Sequence, residues 1–182
     1  MQTMFSVPLY RFVLSGWPAK KDRILKALPE ITDQHRSPAG DTFTDFFLNN
    51  EGTSLPAYKD VVLDAISDCL EEFREDYPAE IDISSMWFER SFKSNYHGAH
   101  NHGSLGFSSI LFLEFDQVEH NATRFIAPFM GFYAGGLIEH RPKGVSEGTL
   151  LMFPAIILHE VEPNQSDKQR TIVSFNVRGA QQ

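Results

Sequence analysis

Three of the seven histidines crowd into the stretch Asn95–Phe115, NYHGAHNHGSLGFSSILFLEF: His97, His100 and His102. Imidazole is the commonest metal-ligating side chain. On an extended strand, residues two apart point the same way. His100 and His102, at the start of the apolar strand pattern that follows, therefore present two rings on one face, spaced to chelate one ion. His97 has the opposite parity, unless a turn at Gly98 reorients it. Alone, an HxH pair is more often a surface coincidence or a pair of hydrogen-bonded core residues. His159 changes the reading. It ends a second apolar run, LLMFPAIILHEV, where few polar groups belong. Three nitrogen ligands on one face leave coordination positions open for substrate or oxygen.

Arg170 is the fourth piece. It begins the last strand pattern, RTIVSFNV, on which Arg170, Ile172, Ser174 and Asn176 share a face. If that face is interior, a buried guanidinium needs an anionic partner. No acidic residue stands out as its mate, and a bound carboxylate held by two parallel hydrogen bonds would serve. If the face is exterior, Arg170 is a surface arginine. His35, His120 and His140 lie in polar, loop-like contexts and read as solvated. Cys69, the single cysteine, sits on the apolar face of a helix and reads as packing. The acidic run Glu71–Asp76 reads as a solvated helix face.

Elements rich in strand must position these groups. Phe5–Leu14 reads as a first strand and Pro18–Leu28 as a short helix ended by Pro29. Thr32–Thr53 reads as mostly irregular, with a short strand over Thr42–Leu48. The clearest helix lies within residues 56–75. Tyr58, Val61, Val62, Ala65, Ile66, Cys69, Leu70 and Phe73 recur at three- and four-residue steps and form one apolar face. Ser54 and Pro56 suit its start, and Pro78 lies past its end. From there strands follow: Ile81–Phe92, Leu105–Phe115, Thr123–Tyr133, Gly136–His140, Gly148–Leu158 and Arg170–Val177. Many short strands separated by Gly, Pro and Asn predict an antiparallel sandwich or barrel, with the helix packed on the outside of a sheet.

The 182 residues, 42% hydrophobic and with 16 Phe, suffice for a single domain over residues 1–182 with an aromatic-rich core. The net charge of −8 argues against a broad basic face for nucleic acid. One cysteine forms no intrachain disulfide, which fits a reducing compartment. The first residues lack the charged start of a signal peptide, and no run approaches the roughly eighteen apolar residues of a membrane span. The expectation is a cytoplasmic protein. The sequence is silent on oligomeric state.

With these residues in hand, the chain resembles the iron(II)- and 2-oxoglutarate-dependent oxygenases, and within them the small HxH-motif group found in phage and bacteria. Two segments carry the likeness. In the first, Trp87 precedes Tyr96, then His100, His102 and SLGFSSILFL. The second is GTLLMFPAIILHEVEPNQSDKQRTIVSFN, with its glycine, FP, distal histidine, VxPN, arginine and FN in order. FSVPLY near the start is similar to the family's opening. The resemblance implies a double-stranded β-helix, the cupin-like jelly roll. It implies iron(II) held by His100, His102 and His159, and 2-oxoglutarate held by Arg170, with Tyr96 as an additional hydroxyl. His102 stands where the commoner HxD version has its carboxylate, so the ligand set is three histidines. Ile172 stands where relatives often carry a serine beside the arginine. The implied reaction hydroxylates an unknown small-molecule or peptide substrate, with release of succinate and CO2. Two rivals stay open: a three-histidine cupin-type dioxygenase that uses no 2-oxoglutarate, and a non-catalytic metal-binding jelly-roll module.

Overall fold

The computed structural model describes residues 6–38, 41–49, 54–77 and 80–179. Phe5, positions 50–53 of the irregular stretch and Pro78, all used above, lie outside those residues. Two antiparallel sheets face each other. The larger joins β1 (Tyr10–Val13), β2 (Phe43–Thr44), β3 (Ile81–Ser91), β5 (Phe107–Glu114), β8 (Thr149–Pro154) and β10 (Arg170–Gly179), in the order β1-β8-β5-β10-β3-β2. The smaller has the order β4-β9-β6-β7, from β4 (His97–His100), β6 (Arg124–Met130), β7 (Leu137–His140) and β9 (Leu158–Val161). This is the expected jelly roll, with two helices, α1 (Trp17–Ala27) and α2 (Lys59–Asp76), on one side.

Strand alternation sorts side chains into two cores. Outward from the larger sheet, Met86, Phe88, Leu111, Leu113, Leu150, Met152, Val173 and Phe175 pack against Val62, Ala65, Ile66, Cys69 and Phe73 of α2. The helix therefore covers the outside of the sheet, as its apolar stripe predicts, and Cys69 is a packing residue. Inward, Ile110, Phe112, Leu151, Phe153 and Ile172 meet Phe125 of the smaller sheet. The alternation of Ile172 and Ser174 with Val173 and Phe175 places the Arg170 face of β10 in the interior.

Several expectations need correction. Gly148–Leu158 is not one strand. The chain turns at Pro154, with the Ile157 N–H donating to its carbonyl at 3.0 Å, and β9 departs into the other sheet. Pro154 ends the ladder because the backbone beyond it bends rather than pairs. His159 is thus the second residue of a new strand. His100 and His102 likewise do not begin β5. His100 ends β4, and His102 lies in the loop between the two strands. The Thr42–Leu48 strand shrinks to Phe43–Thr44, and the helix starts at Lys59 and runs to Asp76.

His35 and His120 are buried rather than solvated. His35 Nδ1 accepts the Thr32 N–H at 3.1 Å, and its ring lies against Phe88. His120 Nδ1 accepts the Asp116 N–H at 3.0 Å, and its Nε2 donates to the Lys168 carbonyl at 3.1 Å. His35 closes a local turn and His120 ties two loops together, through bonds that a polar sequence context does not reveal.

Candidate metal centre

The three imidazoles singled out in the sequence meet. One ring nitrogen from each of His100, His102 and His159 lies within 4.8 Å of the others. Their registers explain this. His100 and His159 are cross-strand partners in the β4–β9 pair. His102 is brought round by its own backbone, whose N–H donates to the Ala155 carbonyl at 2.9 Å. Ala155 N–H in turn donates to Gly106 at 3.0 Å, so the β8–β9 corner and the HxH loop are laced together. Gly106 is obligatory there. Its φ is +82°, and a Cβ would lie 2.1 Å from the Val177 carbonyl oxygen.

Two of the rings are pre-set by the backbone. His100 Nδ1 donates to the Gly98 carbonyl at 2.8 Å, and His159 Nδ1 donates to the Ile157 carbonyl at 2.9 Å. Each bond fixes the tautomer that leaves Nε2 bare, the outer support characteristic of metal-ligating histidines. His102 Nε2 lies 3.3 Å from His159 Nε2. Two nitrogens about 2.0–2.1 Å from one ion would stand roughly 3.0–3.4 Å apart. Trp87 stacks on His102, with ring centroids 5.3 Å apart. Burial, helped by the neighbouring rings, holds His102 and His159 neutral down to about 3, and His100 is lowered for the same reason. Neutral imidazole is the form that binds metal.

His97 joins the cluster through the turn at Gly98. A register break between His97 and His100 restores it to the inner side, where its ring stacks on His100 with centroids 4.0 Å apart. Its Nδ1 donates to Glu89 Oε2 at 2.6 Å. Glu89 is the residue that sequence reasoning missed. It is 2% exposed, on β3 opposite Ile172, inward-facing like Arg170. Burial opposes its charge, but His97 and then Arg170 and His100 hold its carboxyl below the usual range. Burial likewise opposes a charged His97, and Glu89 outweighs it and raises the ring's pKa. The sequence held a weak signal: on the period-2 face of Trp87, a glutamate stands among apolar residues.

Arg170 is buried, 2% exposed, with its guanidinium 5.4 Å from the centroid of the Phe112 ring. None of its three side-chain nitrogens has a hydrogen-bond partner. Burial pushes its pKa down and the Glu89 charge draws it back up. Ser91, its cross-strand neighbour, and Thr123 carry buried hydroxyls that also lack partners. Ile172, one inward position along β10, lines a tight chamber of about 20 Å3 together with Thr123, Ser108, Ser174 and the histidines. An outer cavity of about 230 Å3 shares Trp87, Glu89, His97, His100 and His102 with it. Tyr96 lines neither. Its side chain is 46% exposed. Thr123 carried no signal in a single sequence, since a threonine at a strand start is ordinary β chemistry.

The family model described as "Putative 2OG-Fe(II) oxygenase" matches residues 85–176, from β3 through the histidines to β10. The chain belongs to that family. Solved structures agree on the fold. HygX from Streptomyces hygroscopicus, with nickel and 2-oxoglutarate bound, is 11% identical, with 96% of this chain and 84% of that one covered at a TM-score of 0.67. A Pseudomonas putida prolyl-4-hydroxylase is 13% identical, with 96% and 94% covered and a TM-score of 0.59. An oxidoreductase of the 2OG-Fe(II) oxygenase family from Burkholderia pseudomallei is 19% identical at a TM-score of 0.50. Its alignment covers 69% of this oxygenase and 59% of the Burkholderia chain. No curated protein matches by sequence. No helix among the described residues of the oxygenase is long and apolar enough to cross a membrane.

The residues fit the two cofactors in the family's name. Three neutral, converging imidazoles suit a divalent first-row metal. A buried guanidinium with three unpartnered nitrogens, across the strand pair from the unpartnered hydroxyl of Ser91, suits a carboxylate.

Proposed function

We propose that residues 1–182 act as a single-domain, cytoplasmic iron(II)- and 2-oxoglutarate-dependent dioxygenase that hydroxylates a small-molecule or peptide substrate. His100, His102 and His159 hold the metal. Arg170 pairs with the far carboxylate of 2-oxoglutarate, assisted by the hydroxyls of Thr123 and Ser91. With molecular oxygen as co-reactant, the bound metal and 2-oxoglutarate would supply oxidative decarboxylation to succinate and CO2, one oxygen atom passing into succinate and the other into a substrate C–H bond. The residues of the chain bind, orient and exclude water. The Gly98 and Ile157 carbonyls keep two imidazoles aimed. Trp87 covers His102.

The observation that carries this reading is the unpartnered guanidinium of Arg170 inside the same sandwich as the three histidines. A cupin-type dioxygenase without 2-oxoglutarate, or a structural metal module, has no use for it. Anaerobic titration of iron(II) and then 2-oxoglutarate, followed by visible absorption, tests the proposal. A charge-transfer band that needs both is expected. Arg170→Ala should abolish it while iron content stays the same. Undiminished 2-oxoglutarate affinity in that variant would favour the cupin-type rival, and no band in the wild type would favour the structural module.

A further inference from the structure

The outer cavity, about 230 Å3, has a wall of definite chemistry. Phe46, Phe47 and Trp87 form its aromatic side, with Phe46 edge-on to Trp87 at 5.1 Å. Asn101 and Thr44 add neutral polar groups. Among the described residues no lysine, arginine or aspartate lines it, and Glu89 is the one carboxylate on its wall. Glu89 also has a vacancy in its hydrogen bonding. Oε2 takes the His97 proton at 2.6 Å, while Oε1, buried, has no partner. A buried carboxylate oxygen left without a donor has lost its water and gained nothing in return, so such a group marks a place where a donor belongs.

The wall is not adaptable by accident. Phe46 and Phe47 ride on a loop that Asp45 pins in place. Asp45 Oδ1 accepts the Phe88 N–H at 2.9 Å, and Oδ2 accepts the Tyr58 hydroxyl at 2.9 Å and the Asn49 amide at 3.0 Å. That hub ties the aromatic wall to α2 and β3 at once.

We infer that this cavity takes a substrate through an alkylammonium group, which donates to Glu89 Oε1 while its carbon chain lies against Phe46, Phe47 and Trp87. Aromatic faces favour a cation beside them, and Glu89, whose Oε2 already holds the His97 proton, adds an acceptor at Oε1. The net charge of −8 draws cations toward the protein. The cavity shares its histidine wall with the proposed metal centre, so the carbon chain beyond the ammonium lies beside the reacting position. Calling the amine a substrate rests on the proposed dioxygenase activity. Its binding does not.

The test therefore uses the full chain without metal or 2-oxoglutarate. Pentylammonium, its neutral analogue pentanol and its anionic analogue hexanoate are titrated by saturation-transfer NMR. Pentylammonium should bind about tenfold or more tighter than pentanol, and hexanoate should be weakest. Glu89→Gln should bring pentylammonium to the pentanol level and leave pentanol unchanged. Nα-acetyl-lysine methylamide is the fourth probe. Tighter binding than pentylammonium assigns the ammonium to a lysyl side chain, and weaker binding assigns it to a free amine. Phe47→Ala, at a part-exposed site that tolerates truncation, should weaken both pentylammonium and pentanol, which keeps the test decisive if Glu89→Gln fails to fold. Equal binding of pentylammonium and pentanol by the wild type overturns the inference. So does no binding of pentylammonium, a preference that persists in Glu89→Gln, or binding indifferent to Phe47→Ala. None of these results bears on the iron and 2-oxoglutarate titration.

Discussion

Replacing Arg170 by methionine separates two costs that the wild type combines. In the absence of 2-oxoglutarate the guanidinium is a buried cation without a hydrogen-bond partner. Removing it relieves a desolvation penalty of several kcal/mol. Against this stand the contact with Phe112, worth up to about 2 kcal/mol when desolvated, a small loss of packing volume, and the attraction to Glu89. Glu89 is not abandoned, because His97 still holds Oε2. The sum runs from about 1 kcal/mol destabilising to about 3 kcal/mol stabilising, where truncating a well-satisfied buried partner costs about 3–5 kcal/mol. At roughly 2–4 °C per kcal/mol for a domain of this size, the melting temperature moves little or rises.

Cosubstrate binding responds in the opposite sense. Two charge-assisted hydrogen bonds at about 1.5–3 kcal/mol each amount to about 3–6 kcal/mol, a loss of roughly 10^2 to 10^4 in affinity. Thermal denaturation with nickel, with and without 2-oxoglutarate, reads both. At a hundredfold excess over Kd the wild type gains about 2.7 kcal/mol, a rise of roughly 5–11 °C, and Arg170→Met gains at most about 0.4 kcal/mol. The reasoning fails if the variant without 2-oxoglutarate loses more than about 3 kcal/mol. It fails equally if 2-oxoglutarate protects both proteins alike.

Metal-free protein should lose stability as pH falls from 7.5 to 5.5. His102 and His159 stay neutral in the fold down to about 3, whereas the unfolded chain protonates them below the ordinary imidazole value of 6.5. The unfolded state then binds more protons, at a ceiling of about 2.7 kcal/mol for the two rings over this interval. His97, raised by Glu89, works the other way, since its contribution is fully present below 6.5 and fades as pH rises through its folded value. Denaturant midpoints should show a net loss on the order of 1–3 kcal/mol, and a gain would contradict the burial of the two rings. Gly106→Ala should destabilise by about 3 kcal/mol or more and weaken metal binding, because the backbone must shift away from Val177 and Ala155 moves with it. Denaturation together with metal titration checks this, and an unchanged metal affinity would show the lacing to be dispensable.

The three histidines and Arg170 were legible because each announces itself locally: an HxH spacing, a histidine closing an apolar run, an arginine on a strand with clear alternation. Parity on β10 left the Arg170 face open in the sequence, and only the pairing of β10 between β3 and β5 makes it internal. What the sequence did not disclose depends on partners distant along the chain. Glu89 reads as a routine strand glutamate until β3 pairs with β10 and the His97 ring swings over it. The break between His97 and His100 is a bulge in pairing, and bulges are set by the neighbouring strand rather than by the residues that bulge. The corner at Pro154–Ile157 was hidden because apolar residues continue through it, and a run buried on both sides carries no mark of where it changes sheets. Asp45 escaped for a similar reason. Its acceptors are filled by Phe88, Tyr58 and Asn49, which only tertiary structure gathers.

One further consequence follows from where β10 lies. The strand of this sandwich that lies latest in the sequence, β10, is inserted between β5 and β3 in the middle of the larger sheet. Until residues 170–179 clear the ribosome, β3 and β5 each hold an open edge, and the apolar side chains that Val173 and Phe175 will cover stand uncovered. Maturation of this sandwich must therefore wait for translation to run nearly through Gly179, leaving a long interval in which nascent chains depend on protection from one another.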